Sequence, residues 1–183
     1  MTAEKVEFIF GILAGVIVVF AYLCKKKWQM LFLFAFSNLS VAVSLLALGK
    51  YDSTTLYFLG FAQTFINGIL ALKGKEPPVW SSVIFFISFT SVSAVKLISD
   101  WQSPVDILPL LATMTFVISF AQKDQQKIRL ISLFNLIFWA TYFFLVHSTA
   151  IWTELIAIAA DIYSMIRARK AVSSEDTSRS NEP

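Results

Sequence analysis

Apolar residues run along this chain in seven stretches, each apolar on every face at helical spacing. They cover residues 6–24, 28–48, 55–72, 79–98, 105–121, 128–146 and 149–166. The breaks between them carry charge or turn chemistry. Lys25-Lys26-Lys27 follows the first stretch, Gly74-Lys75-Glu76-Pro77-Pro78 the third, and the polar run 122–127 the fifth. A bilayer core about 30 Å thick is crossed by about 20 residues of helix, so the pattern predicts seven transmembrane helices. Strands of a membrane barrel would be shorter and would alternate apolar with polar positions.

Composition narrows the class further. Of 183 residues 57% are hydrophobic and only 15% charged, with a mean hydropathy of +0.69. Soluble domains carry about 25% charged residues, and one this small could not bury so much apolar surface. A water-soluble globule is excluded, and disorder is excluded except at the ends. The stretch 171–183 is rich in Ser, Glu and Asp without apolar periodicity and is expected to be disordered. The single cysteine, Cys24, and the single histidine, His147, exclude a disulfide framework and a Cys/His metal cluster, so no metal or cofactor is expected. The first residues, acidic on balance, do not read as a signal peptide.

Charge placement sets the expected topology. With seven crossings, twelve of the 15 Lys and Arg fall on one side, and Lys5, Lys50 and Lys96 on the other. Basic residues collect on the cytoplasmic side, so the N-terminus is expected outside and the C-terminus inside. The seventh stretch is kept as a crossing despite Glu154 and Asp161, because dropping an internal span would mix the two sides. The net charge of +3 and the sequence pI near 9.0 then report topology, and no nucleic-acid partner is expected.

The chain also repeats itself weakly. A shift of 97 residues carries Asn38 onto Asn135 and Leu48 onto Leu145. A shift of 94 carries Gly60 onto Glu154, Asn67 onto Asp161 and Lys73 onto Arg167. The expected architecture is all-α: a three-helix bundle over 6–73, a linker helix over 79–98 and a second three-helix bundle over 105–170. Two halves in the same orientation imply a pseudo-two-fold axis along the membrane normal, with a site between them near mid-membrane.

Asn38 with Leu45-Leu46-Ala47-Leu48-Gly49, Asn67 with Lys73, and then Asn135, Trp139, Tyr142, Glu154, Asp161 and Arg167 carry a resemblance to a known family. Over roughly residues 8–170 the chain resembles the YgjV-type bacterial inner-membrane proteins, related to the SWEET, SemiSWEET, PQ-loop and PnuC-like transporter superfamily. The Pro-Gln dipeptide that names the PQ-loop group is absent. The resemblance implies an inner-membrane location and a small-solute transporter or facilitator. It also implies that an aromatic of the sixth helix, here Trp139, walls the solute site.

The polar residues inside the spans are the candidate substrate-binding set: Asn38, Asn67, Asn135, Trp139 and Asp161. An intramembrane Asn is either interhelical glue or a ligand for a solute, and both readings stand for Asn38 and Asn135. Trp139 is either a wall of a site or ordinary packing. Gly60, Gln63 and Asn67 share one face of the third helix, and Glu154 and Asp161 one face of the seventh. A carboxylate at mid-bilayer costs about 2.5–3.5 kcal/mol to insert, and such residues commonly mark pathways or proton relays; the alternative is a salt bridge that locks the bundle. Gly11 and Gly15 suggest close helix packing. Pro109 is open as a hinge or as a tolerated proline. The expected function is alternating access of an unidentified small polar solute around these residues. The competing reading is a non-transporting scaffold or partner-binding subunit. One histidine and short loops argue against an enzyme. The partner is the lipid bilayer, and two halves in one chain make an oligomer unnecessary.

Overall fold

The computed structural model describes residues 2–47, 49, 51–101, 103–145, 147 and 151–180, the side chains of 51–53, 100 and 170–180 excepted. Positions 48, 50, 146 and 149, used above, lie outside the described residues. Seven α-helices occupy the seven expected stretches: α1 Ala3–Leu23, α2 Lys27–Ala47, α3 Tyr51–Leu72, α4 Val79–Asp100, α5 Ile107–Phe120, α6 Gln125–Leu145 and α7 Ile151–Ser180. Helices suit a bilayer because every backbone N–H and C=O is satisfied within the segment. Five of them, α1, α2, α3, α4 and α6, are long and apolar enough to cross a membrane. Helix α7 is not among them, because Glu154, Asp161 and Arg167 interrupt its apolar run.

The helix ends follow local chemistry. Helix α3 stops at Gly74, whose φ of +67° suits a residue without Cβ. There the Lys75 N–H donates to Leu70 at 2.8 Å and the Gly74 N–H to Ala71 at 3.1 Å, which closes the last turn. Helix α5 is the shortest, with 14 residues, and is led in by a 3-10 turn, Pro104–Asp106. The Asp106 carboxylate accepts the Ser103 N–H at 2.8 Å in a capping box. Together the turn and helix rise about 27 Å, close to the bilayer core. Pro109 falls in the first turn of α5, where its missing N–H is not needed, so it is no mid-helix hinge. Helix α7 continues to Ser180 through the stretch expected to be disordered. Once a span has nucleated a helix, each added residue needs only propagation, and no Gly or Pro interrupts 167–180.

Each helix packs on the next in the chain, and α7 returns to α1, so the seven form a ring. A lighter contact of α3 on α5 leaves α4 at the periphery. Helix α4 accordingly exposes Val79, Val83, Ile87 and Val95 to the lipid and buries Phe89. The main core joins α1, α2, α5, α6 and α7 through Tyr22, Leu31, Phe34, Phe120, Leu136 and Ala157. Gly15 lets α1 approach α7, since a Cβ there would meet Thr153 at 3.2 Å, whereas Gly11 has open space.

Candidate functional site

Two polar faces look into the ring. On α3 the face carries Gly60, Gln63, Thr64 and Asn67, all buried. On α7 it carries Glu154 and Asp161, two turns apart. Glu154 lies within electrostatic reach of Tyr57 on α3 and Tyr22 on α1.

Asp161 is fully buried, and neither carboxyl oxygen finds a hydrogen-bond donor among the described residues. Facing it within electrostatic reach are Tyr22 on α1 and Arg129 on α6. Arg129 is 4% exposed, and its Nε also finds no acceptor among the described residues. The Tyr22 hydroxyl meets Ser132, and Ser132 lies 2.7 Å from the Ser119 hydroxyl, which donates to the Ile128 carbonyl at 3.0 Å. Asp161 and Arg129 thus lie within electrostatic reach of each other without a direct ion pair between them.

The other expected residues divide by what they touch. Asn67, 4% exposed, donates to the Phe120 carbonyl at 2.8 Å. Phe120 ends α5, so Asn67 satisfies a carbonyl that has no intrahelical donor. Gln63 reaches the Val117 carbonyl at 3.4 Å, one turn earlier on α5. Asn135 donates to Ala112, again on α5, at 2.6 Å. Asn38 differs. It lies against Gly60 of α3, where an added Cβ would sit 3.1 Å from its amide nitrogen, and that nitrogen finds no acceptor among the described residues. Trp139 stacks on Phe143 at 5.4 Å and meets Tyr142 edge-on at 5.9 Å, all on α6. The five expected residues therefore do not form one contact set: two hold α5, Trp139 joins an α6 aromatic cluster, and Asn38 and Asp161 retain unpartnered polar atoms.

Aromatic rings cross the bundle beside Asp161. Tyr22 meets Phe34 at 5.1 Å, Phe34 meets Phe120 at 5.1 Å, Phe120 meets Phe116 at 4.7 Å, and Phe116 meets Phe89 at 5.8 Å. This chain of side chains runs from α1 through α2 and α5 to α4, and Asn67 binds the carbonyl of its member Phe120.

Arg129 is the residue that sequence reasoning missed, because it counts among the basic residues of the loop after α5. It stands one turn inside α6. A signal was present: Arg129, Ser132 and Asn135 recur every three residues and make a polar stripe on an otherwise apolar helix.

The family model of the bacterial inner membrane protein Imp-YgjV matches residues 6–172. The chain therefore belongs to the Imp-YgjV family and resides in the bacterial inner membrane. No curated protein matches it. No solved structure matches it.

Proposed function

We propose that this Imp-YgjV family member carries a small polar solute across the inner membrane, with Asp161 as the central ligand between two three-helix halves. The observation that carries the reading is the buried, unpartnered Asp161 carboxyl facing Arg129. Taking a charge out of water costs several kcal/mol even after relaxation, and a purely structural carboxylate would recover this through close partners. An intramembrane acid that does not do so is placed for something that arrives. Asn38, whose amide nitrogen has no acceptor among the described residues, is the second proposed ligand, and Trp139 with Tyr142 and Phe143 the proposed aromatic wall. Asn67 and Asn135 act in this reading by holding α5.

The two-half architecture is part of the proposal and has support in the helix neighbours. Exchanging α1 with α5, α2 with α6 and α3 with α7 turns each contact within one half into a contact within the other. It also turns α1 on α7 into α5 on α3, both of which occur. Helix α4 stands outside the exchange, as a linker would. Seven crossings, the basic loops on the cytoplasmic side and a relation to the SWEET and PQ-loop transporters complete the reading. It is a transporter and not an enzyme, and it needs no second copy.

A scaffold role has one observation in its favour: Asn67 and Asn135 are both spent on backbone carbonyls. Ligand stabilisation separates the two. A solute bound at 100 times its Kd adds about 2.7 kcal/mol to stability. Purified protein should rise in melting temperature with at least one member of a panel of sugars, amino acids and nucleosides. Asp161→Asn should fold and lose that rise. A scaffold would show no rise with any of them, and Asp161→Asn would change its own melting temperature instead.

A further inference from the structure

Besides Gln63 and Asn67, which bind α5 deeper in the bundle, further side-chain hydrogen bonds join α1–α3 to α5–α7 at the end that carries the lysine loops. Two sets are reciprocal. From α6, Arg129 donates to the carbonyls of Cys24 at 2.6 Å and Tyr22 at 3.2 Å, and Gln125 donates to Cys24 at 3.0 Å. These carbonyls end α1. From α2, Lys27 donates to the carbonyls of Lys123 at 2.6 Å and Gln122 at 3.2 Å, just past the end of α5. Lys27 also lies 3.5 Å from Glu76 in the turn between α3 and α4. The final carbonyls of a helix lack intrahelical donors and carry the negative end of its dipole, so a cation or amide donor is favoured there.

We infer that these two clasps, Arg129 with Gln125 on the end of α1 and Lys27 on the end of α5, form a gate that holds the basic end of the bundle shut. The inference rests on the two-half reading proposed above and adds the residues that must let go. Each clasp starts on one half and ends on the other, so parting the halves at this end breaks both. Neither clasp is a side-chain ion pair that water could replace cheaply on both sides. Each covers backbone carbonyls that would otherwise need other donors. Arg129 also faces Asp161, so one side chain belongs to both the gate and the proposed site. Tyr22, whose carbonyl is in the first clasp, begins an aromatic chain that runs through Phe34 to Phe120 at the end of α5.

Cys24 supplies a native reporter. It lies between α1 and α2, its carbonyl is the acceptor of the α6 clasp, and it is the single cysteine of the chain. Burial pushes its thiol up from the ordinary value, against an opposing pull from Arg129, so closed protein should alkylate slowly. The test uses full-length protein in lipid nanodiscs and a water-soluble maleimide, with rates fitted across pH so that access is separated from thiol ionisation. Lys27→Ala and Gln125→Ala should each speed alkylation, and together by about tenfold, a change worth about 1.4 kcal/mol. Lys27→Arg should return the wild-type rate. Should Lys27→Ala fail to insert, Lys27→Met keeps the apolar stem and answers the same question. Variants that melt with the wild type and alkylate at its rate at every pH would overturn the gate. Faster alkylation in a protein that binds none of the solute panel would keep the gate and remove the transporter reading. An unchanged rate in a protein that binds a solute would do the reverse.

Discussion

At the residue scale, side chains of one chemical type serve different ends because their partners differ. Asn67 and Asn38 are both asparagines inside a helix. One is spent on the last carbonyl of α5, and the other, against Gly60, has a nitrogen without an acceptor among the described residues. Asn67→Leu should leave the Phe120 carbonyl unsatisfied and lower stability by about 1–3 kcal/mol, visible as a lower melting temperature, while solute-induced stabilisation persists. Gly60→Ala should act in the opposite sense. Its Cβ would press on Asn38 at 3.1–3.4 Å, so the expected outcome is a small change in melting temperature and a loss of solute-induced stabilisation. Calorimetry on both variants, with and without the stabilising solute, checks the pair. The sequence pointed to Asn38, Asn67, Asn135 and Asp161 through their polarity inside apolar runs. It held no sign of which were already spent, because the acceptors are backbone carbonyls of α5 and any residue type supplies one. Arg129 escaped notice because charge counting treats a basic residue near a helix end as a loop residue.

At the element scale, helix number and approximate limits were legible, because twenty apolar residues have few alternatives in a bilayer. The exceptions have local causes. Helix α5 starts late because Ser103 and Asp106 cap a 3-10 turn ahead of it, and this moves Pro109 into a first turn instead of a kink. Helix α7 runs on past 171 because helix propagation does not need the apolar face that the sequence reading looked for. The cap is testable by itself. Ser103→Ala removes one half of the capping box and should cost about 1 kcal/mol, read as a lower melting temperature with unchanged topology. A melting temperature equal to that of the wild type would show that the contacts of Asn67, Gln63 and Asn135 to α5 carbonyls hold the helix without the cap.

At the scale of the whole molecule, the ring of helices, the charge asymmetry and the two polar faces form one argument. The ring arrangement was not readable from the sequence, since helix order around a bundle depends on which faces meet and not on span length. The side each loop faces is proposed from the placement of the lysines. On a Cys24→Ser background, a single cysteine at position 124 should react with an impermeant reagent only after the inner membrane is opened, and labelling from outside would remove the proposed orientation. The central claim is that something passes between the halves by way of Asp161. Its most direct measurement is efflux from proteoliposomes loaded with the same panel of sugars, amino acids and nucleosides, read by mass spectrometry of the external medium. Wild-type vesicles should lose at least one solute faster than empty vesicles, and well-folded Asp161→Asn vesicles should retain it. Equal retention by wild-type and empty vesicles, or wild-type efflux from the Asp161→Asn protein, would contradict the account.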